Sequence, residues 1–427
     1  MPPGRVCTRG RPVATPRFAG RSAIGQPTGL STTLGESMQN SASSFIVGNP
    51  TLAPVVAVIG AGAWGTALAC ALRRGGLEVR LWARRPDLTH AIATQARNPR
   101  HLPDLELPAG LKASSQMAEV LDGANAVFMV VPSAALREVA RAAAPWLQRR
   151  AVVLAACKGI ERDSGALMTQ VLQQELRPGA LIGAIGGPSF AHEVVRGQPA
   201  ALTVGLPALR QRGAVDVQSH AQRLMGGLRT AFAAGQVQLD VTDDAIGVQV
   251  GGALKNMIAI ACGMAMSCEQ GENARAAILT RGLQDMRRLT LALGGRPETL
   301  LSSAGAGDLF LTASSTQSRN TRLGMQLGRG EFPGGEGELA EGAISSQSVQ
   351  ILERRLGLHL QVAAVVRDVL GRRQTAEEAL RRLLTQPVQQ DDALGLPVAS
   401  GAHAHRLLRD AQGLRPTLSR AQSRQSQ

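Results

Sequence analysis

The clearest indication of the fold is the segment PVVAVIGAGAWGTALACALRRGG, residues 54–76. Its apolar start predicts a buried β-strand over Pro54–Gly60, and the pattern of Ala63–Arg74 predicts a helix that the following glycine pair closes. Between them lies GAGAWG (residues 60–65). This is a GxGxxG motif between a strand and a helix, the setting in which the motif indicates dinucleotide binding.

Each glycine of this motif has a separate expected role. Gly60 allows the tight turn, Gly62 lets the backbone approach a pyrophosphate, and Gly65 allows the helix to pack closely on the strand. The helix N-terminus then offers unpaired N–H groups and a positive dipole end to the phosphates. A glycine-rich turn without a ligand is the alternative interpretation.

The residues after the second predicted strand, Glu78–Ala83, bear on the kind of dinucleotide. An acidic residue there would bind the ribose hydroxyls of NAD, but Arg84 and Arg85 occupy the place. An arginine pair can hold a 2′-phosphate and stack on adenine. We therefore expect NADP(H) to be accepted, alongside or in preference to NAD(H). The alternative is two surface arginines in an arginine-rich protein.

The chain then divides by its pattern into an α/β part and a helical part. Further short apolar runs predict strands over 126–131, 151–156, 181–185, 201–204 and 237–241, alternating with helices, which is typical of a parallel sheet covered on both faces. After Thr242 we predict helices alone, the first capped by Asp243 or Asp244 and reaching about Cys268. The five that follow are predicted near 274–293, 318–327, 339–356, 362–370 and 376–384. The fold class is thus α/β, a Rossmann-like doubly wound sheet followed by an all-α domain. The predicted boundaries are 1–52 (disordered basic extension), 53–242 (dinucleotide-binding domain), 243–388 (helical substrate domain) and 389–427 (disordered basic tail).

Composition excludes several classes of function. The 427 residues have a net charge of +14 and contain 44% apolar residues, without an uninterrupted apolar run of about 20, so we expect a globular protein and no membrane span. Aromatics make up 2% and Tyr is absent, which argues against single-stranded nucleic acid as a partner. The seven His show no metal-ligand spacing, and the five Cys form no CxxC pair, which suggests no metal and a reducing compartment.

The two chain ends carry much of the positive charge. Residues 1–50 and 396–427 each contain five Arg and one acidic residue, so they hold 8 of the 14 net charges. Basic tails can bind nucleic acid or acidic membranes, but we favour solvated, disordered tails. The N-terminal composition resembles a transit peptide, although its prolines oppose an amphipathic helix; a translation start at Met38 is a third possibility.

Lysine is confined to positions 112, 158 and 255, and every other basic residue of the chain is Arg or His. Unlike a guanidinium, an ammonium can lose its proton, so lysines retained in such a chain are candidates for proton transfer. Lys158 follows a predicted strand, where ligands bind in open α/β sheets. Lys255 lies in an apolar predicted helix, where burial and a nearby Lys158 would both lower its pKa and suit it to general acid–base catalysis. Lys112 is interpreted as a surface residue in a loop.

Two more polar positions favour catalysis or anion binding. Asp308 follows the flexible Gly305-Ala306-Gly307 and could orient Lys255, or simply cap a helix. Ser318, Arg319 and Asn320 mark a predicted helix start with the cap, cation and amide that suit a phosphate. An ordinary capped helix is the alternative there.

Together these motifs resemble the NAD(P)-dependent glycerol-3-phosphate dehydrogenases of the soluble bacterial type. The matching stretches occur in the family's order over roughly residues 53–385: GAGAWGTALA (60–69), NPRHLP (98–103), CKGI (157–160), GGPSFAHEV (186–194), VGGALKNMIAIACGM (250–264), ENARAAILTRGLQDM (272–286), AGAGDLFLT (304–312) and SRNTRLGMQLGRG (318–330).

The resemblance implies a cytoplasmic, homodimeric enzyme that interconverts dihydroxyacetone phosphate and sn-glycerol 3-phosphate and supplies phospholipid synthesis. It implies Lys255 as the catalytic acid and base, Lys158 as a contact of both substrate and cofactor, and Asp308 beside the catalytic lysine. Other implied substrate contacts are Gly187, Ser189, Asn256, Ser318, Arg319 and Asn320. Implied cofactor contacts, besides the glycine motif and the Arg pair, are Ala63, Trp64, Lys158, Ala191, Arg319, Leu339 and Glu341.

Segments 267–271 and 343–347 depart from the family pattern. Two alternatives of different kinds stay open. One is another reductase of similar architecture, such as ketopantoate reductase, against which the Ser-Arg-Asn run argues. The other is a cofactor-binding sensor without catalysis, against which the retained Lys158, Lys255 and Asp308 argue.

Overall fold

The computed structural model describes residues 54–210, 214–333 and 340–386. The predictions for the two tails and for Leu339 concern residues outside these ranges. Within them, an N-terminal part built on an eight-stranded sheet is followed by a helical part, as the sequence predicts. The strands are β1 (Val56–Ile59), β2 (Val79–Trp82), β3 (Arg97–Asn98), β4 (Leu102–Glu106), β5 (Lys112–Ser114), β6 (Ala126–Met129), β7 (Val152–Ala155), β8 (Leu181–Gly186), β9 (Ala200–Gly205) and β10 (Val237–Thr242).

The large sheet has the strand order β10-β9-β8-β7-β6-β1-β2-β5. β2 lies on one side of β1 and β6 on the other. The strand order therefore reverses at β1, and the carboxyl end of β1 is the switch point where α/β sheets bind ligands. Apolar clusters cover both faces of the sheet. The glycine motif therefore follows the strand at which a doubly wound fold places its nucleotide.

The prediction of a wholly parallel sheet is wrong at one pair, because β8 and β9 are antiparallel. The connection between them contains only a five-residue helix, Ala191–Val195. At 1.5 Å per residue this helix spans roughly 8 Å, too little to return along a six-residue strand of roughly 20 Å. The chain therefore re-enters the sheet from the same end.

The helices of the described residues agree closely with the predicted ones. The first begins and ends where the sequence places it, and the five predicted after Cys268 begin and end within three residues of their predicted limits. The helices are α1 (Ala63–Arg74), α2 (Pro86–Gln95), α3 (Met117–Leu121), α4 (Leu136–Ala143), α5 (Met168–Glu175), α6 (Ala191–Val195), α7 (Val215–Ala234), α8 (Ala245–Ser267), α9 (Gly271–Ala292), α10 (Asp308–Ser314), α11 (Arg319–Gly328), α12 (Glu341–Leu356), α13 (Gln361–Leu370) and α14 (Ala376–Thr385).

Helix α8 forms the centre of the helical part. Asp244 caps it, because its Oδ1 accepts hydrogen bonds from the backbone N–H groups of Ile246 and Gly247. Nearly all of its residues are buried. Among the described helices, α8 alone is long and apolar enough to cross a membrane by length and composition, but 94% of its most apolar window is buried inside the protein, as in a core helix.

Two glycines set the distance between α8 and α11. A Cβ added at Gly263 would lie 2.1 Å from the carbonyl oxygen of Thr321, and one added at Gly324 would lie 2.0 Å from that of Ile260. Both distances are shorter than any van der Waals contact. The two backbones therefore approach closely, which fixes the start of α11 relative to the middle of α8.

Three short strands were not predicted. β3 and β4 form an antiparallel hairpin, and β5 extends the sheet beside β2. Lys112, interpreted as a loop residue, begins β5; its Nζ lies 2.9 Å from Glu78 Oε1 at the exposed surface. β3 and β5, of two and three residues, are too short to show a periodic pattern, and the five residues of β4 are mostly exposed and show no alternation of apolar and polar residues.

Candidate active site

The turn from β1 to α1 has the geometry of a dinucleotide-binding loop. Gly60 has φ 121°, and a Cβ there would lie 2.4 Å from Val130 O; a Cβ at Gly65 would lie 1.9 Å from Gly60 O. A Cβ at Gly62 meets nothing within 4 Å, so space remains on that side. No side chain caps the N-terminus of α1. Open space beside uncapped N–H groups fits a pyrophosphate.

Ala63 and Trp64, expected to contact the cofactor, form the start of α1 and are half-buried. Arg84 and Arg85 follow β2 on the exposed surface. Arg85 lies with its Nη2 2.6 Å and its Nε 3.1 Å from the carboxylate oxygens of Asp87. Arg85 therefore forms an ion pair with Asp87. Both side chains are exposed, and exposed ion pairs contribute little to stability.

The structure brings Lys158, Lys255 and Asp308 into direct contact. Lys158 follows β7, Lys255 lies in the middle of α8 and Asp308 begins α10. Lys158 Nζ donates to Asp308 Oδ2 at 2.9 Å, and Lys255 Nζ donates to Asp308 Oδ1. Lys255 and Asp308 are 4% and 1% exposed, whereas the Lys158 side chain retains 21% exposure. One buried carboxylate therefore joins two ammonium groups, of which that of Lys158 belongs to the more exposed side chain.

Burial and mutual charge set the proton affinities of these groups. Burial, assisted by the charge of Lys158, lowers the pKa of Lys255 to about 7 despite the opposing attraction of Asp308. Burial alone would lower the pKa of Lys158, but attraction to Asp308 outweighs it and the pKa is raised. Burial would raise the pKa of Asp308, but the two lysines outweigh it and the pKa is lowered. Lys255 thus has the pKa suited to proton transfer near neutral pH.

Thr312 is a member of this site that the sequence analysis missed. Its Oγ1 accepts a hydrogen bond from Lys255 Nζ at 2.9 Å and donates one to the Asp308 carbonyl oxygen at 2.6 Å. The sequence spacing could have indicated Thr312, because it lies four residues after Asp308 and therefore on the same helix face. An ammonium has three donors, and two of those on Lys255 are directed at Asp308 and Thr312.

The start of α11 adds the polar groups expected there. Ser318 is its N-cap, with Oγ accepting from Thr321 N–H at 3.3 Å. Arg319 is exposed, whereas Asn320 is buried and its Oδ1 accepts from Gly342 N–H at 3.0 Å. Asn320 therefore links the starts of α11 and α12 through its side-chain carbonyl oxygen.

Glu341, an expected cofactor contact, is the first residue of α12. Burial raises its pKa, and the charges of Lys158, Lys255 and Arg319 oppose that shift. Glu341 therefore lies within electrostatic reach of the lysine pair. Asn256 is buried in α8 beside Lys255; its backbone carbonyl group lies 2.8 Å from where a Cβ at Gly342 would stand.

The Gly-Pro-Ser turn after β8 lies against the segment that carries Asp308. Gly187 has φ 145°, and a Cβ there would lie 2.3 Å from Ala201 O. The Pro188 ring is 3.6 Å from where a Cβ at Gly307 would stand. Ser189 Oγ donates to Gly187 O at 3.0 Å, and Ala191 begins α6 just beyond. The turn is thus placed beside the lysine–aspartate cluster.

A separate cavity of about 820 Å³ lies at the C-terminal end of α8, around Cys268, Arg329 and Phe332. Cys268 is thirteen residues beyond Lys255 on the helix, or roughly 20 Å along its axis. This cavity is therefore not the lysine site.

Comparison with known proteins identifies the family. Residues 55–211 match the model for the N-terminus of NAD-dependent glycerol-3-phosphate dehydrogenase, and residues 244–381 match that for its C-terminus. The glycerol-3-phosphate dehydrogenase [NAD(P)+] of Rhodospirillum rubrum is 41% identical over 338 residues, covering 78% of this chain and 93% of the relative. That of Stenotrophomonas maltophilia is 40% identical over 342 residues, covering 79% and 96%.

A solved structure supports the same family assignment. The glycerol-3-phosphate dehydrogenase of Coxiella burnetii superimposes with a TM-score of 0.70 at 32% identity, covering 78% of this chain and 99% of that one. Its likeness extends over both the sheet and the helical part described above. The chain therefore belongs to the NAD(P)-dependent glycerol-3-phosphate dehydrogenase family.

Proposed function

We propose that this enzyme reduces dihydroxyacetone phosphate to sn-glycerol 3-phosphate, with Lys255 as the proton donor to the carbonyl oxygen at C2. The observation that carries the proposal is the buried contact of Lys255 and Lys158 with Asp308 beside the dinucleotide-binding sheet. When bound, the nicotinamide supplies the hydride or accepts it in the reverse reaction. The protein side chains then have to orient the substrate carbonyl group and supply a proton to its oxygen.

Lys255 suits the proton transfer by its pKa and its fixed position. With a pKa of about 7, it is partly protonated and partly neutral at neutral pH, so it donates a proton in reduction and accepts one in oxidation. Asp308 and Thr312 hold its Nζ, which restricts the donor to one direction. Asp308 is assigned to positioning the lysines, because each of its oxygens accepts a hydrogen bond from one of them.

The charge around the site favours a dianionic substrate. Lys158, Lys255 and Arg319 supply positive charge against Asp308 and Glu341, and burial raises the pKa of Glu341. The N-terminus of α11, with Ser318 and Asn320, adds N–H donors and a dipole suited to a phosphate. We assign the phosphate to this helix start and the carbonyl to the lysine pair. Gly187, Ser189 and Asn256 are proposed as further substrate contacts because their segments adjoin Asp308 or Lys255.

The β1–α1 turn with Gly60, Gly62 and Gly65 is proposed to hold the pyrophosphate of the cofactor. The proposed contacts of the rest of the dinucleotide are Ala63, Trp64, Lys158, Ala191, Arg319, Leu339 and Glu341. Arg84 is proposed to select the 2′-phosphate of NADP(H), because Arg85 is already paired with Asp87. A cytoplasmic homodimer that feeds glycerophospholipid synthesis is the biological setting we propose. Light scattering of the purified protein tests the dimer.

The direct test is steady-state oxidation of NADPH and NADH by the purified enzyme with dihydroxyacetone phosphate, with dihydroxyacetone and ketopantoate as matched controls. We expect turnover with the phosphorylated ketone and at least a hundredfold lower kcat/KM with the other two. Preference for ketopantoate would favour the related reductase activity. Tight NADPH binding without oxidation in the presence of any ketone would favour a sensor.

A further inference from the structure

Asn98 is a fully buried polar residue near the dinucleotide loop that none of the proposed catalytic or binding contacts includes. It lies in β3, in the small hairpin outside the main sheet, and is 0% exposed. Its Nδ2 donates to Ala61 O at 3.0 Å and to Thr66 Oγ1 at 2.8 Å. Its Oδ1 accepts from His101 N–H at 3.0 Å. A side-chain amide that is hydrogen-bonded through both its nitrogen and its oxygen restrains the groups that it contacts.

Ala61 is the second residue of the glycine motif, so Asn98 contacts the loop backbone itself. A trans peptide is planar, and its C=O and N–H point in opposite directions. With Ala61 O directed inward to Asn98, the N–H of Gly62 is directed away from the interior. A Cβ at Gly62 would meet nothing within 4 Å, so there is open space beside this residue, where the pyrophosphate is expected.

We propose that Asn98 is a positioning residue for cofactor binding: by holding the Ala61 carbonyl, it aims the Gly62 N–H at the dinucleotide pyrophosphate. Thr66 has a secondary part, because its hydroxyl lies 3.5 Å from Ala61 O, at the limit of a hydrogen bond. The same amide ties the loop to the β3–β4 hairpin through His101. The proposal concerns the pyrophosphate and needs neither the ketone substrate nor the nicotinamide.

The test measures binding of ADP-ribose, which carries the pyrophosphate but cannot transfer hydride, by calorimetry on the full chain. Asn98→Leu removes both ends of the amide at similar volume, and Asn98→Ser leaves a hydroxyl too short to reach Ala61. We expect the Kd for ADP-ribose and for NADPH to rise about tenfold or more in both variants, as for loss of a buried hydrogen bond. The KM for NADPH should rise in parallel, while the KM for dihydroxyacetone phosphate and kcat at saturating NADPH change less than about threefold.

Gln249→Met is the matched control. Gln249 is a buried amide that also makes three hydrogen bonds, two to Thr169 and one to Ala245 O, but it lies in α8 and bonds to α5. We expect a comparable loss of thermal stability with a Kd for ADP-ribose within twofold of the wild type.

Three results would overturn the proposal. One is a folded Asn98→Ser protein that binds ADP-ribose as tightly as the wild type. Another is an equal loss of affinity in Gln249→Met, which would make the effect one of general stability. The third is a rise in the KM for dihydroxyacetone phosphate without a rise in that for NADPH. If Asn98→Leu does not fold, Asn98→Ser decides. Failure of the proposed ketone reduction would leave ADP-ribose binding unaffected, so the two proposals fail separately.

Discussion

Asp308→Asn is the substitution that best isolates the electrostatics of the site. It keeps the volume of the side chain and removes the negative charge between Lys158 and Lys255. An opposite charge in contact raises the pKa of a lysine, so its loss lowers the pKa of Lys255, by roughly two units for a buried contact of this kind. Starting from about 7, the pKa of Lys255 then falls to roughly 5.

This shift translates into a rate. At pH 7.5 a group with a pKa of about 7 is roughly 24% protonated, and one with a pKa of roughly 5 is about 0.3% protonated. The acid form needed for reduction thus falls by up to roughly 75-fold, and kcat/KM for dihydroxyacetone phosphate falls by up to that factor. In the wild type, kcat/KM for reduction should decline as pH rises through about 7, while that for oxidation of glycerol 3-phosphate should rise.

The assay is the pH profile of kcat/KM for reduction, from pH 5 to 9, in the wild type, Asp308→Asn and Thr312→Val. Thr312→Val removes a hydrogen bond to Lys255 but no charge, so its profile should keep an inflection near pH 7 at a lower plateau. NADPH binding shows that each variant is folded. An Asp308→Asn profile with the wild-type inflection would refute the assignment of Asp308 as the group that sets the pKa of Lys255.

Three other substitutions test separate parts of the account. Arg84→Ala should lower the ratio of kcat/KM for NADPH over NADH by tenfold or more, whereas Arg85→Ala should change it less because Asp87 already pairs that residue; equal ratios in all three proteins would contradict this. Gly324→Ala should reduce kcat/KM by more than tenfold, because the added methyl group would stand 2.0 Å from a carbonyl oxygen of α8 and push α11 away; unchanged kinetics would disprove the close approach. Asp285→Ala should lower the free energy of unfolding by about 1–3 kcal/mol, seen as a lower denaturant midpoint, because its carboxylate accepts two backbone N–H bonds at the start of α13; an unchanged midpoint would contradict that.

The elements with a local signal could be predicted from the sequence. The run from Pro54 to Arg74 carries strand, turn and helix in one stretch, and Asp244 sits where a helix cap is expected. Lysine scarcity directed attention to Lys158 and Lys255, which the structure places on one carboxylate. The strand, turn, helix and cap depend on neighbours within a few residues, whereas the two lysines were found by their residue type and their common partner Asp308 lies 150 and 53 residues away.

Features set by distant parts of the chain could not be predicted. The direction of β9 depends on how far the connection after β8 reaches, and its own apolar pattern is the same for either direction. The contact of Thr312 with Lys255 spans 57 residues, and that of Asn98 with Ala61 spans 37. The sequence does not distinguish a buried Asn or Thr from an exposed one, because its hydrogen-bond partners are backbone groups or side chains of other elements.

The role of Lys255 is decided by comparing dihydroxyacetone phosphate reduction by the wild type and Lys255→Ala, with NADPH affinity measured on the same preparations. If Lys255 is the acid and base, kcat falls by roughly 10²–10⁴-fold while the Kd for NADPH stays within about threefold, and added primary amines restore part of the rate. A Lys255→Ala enzyme that keeps its rate within tenfold of the wild type would contradict the account.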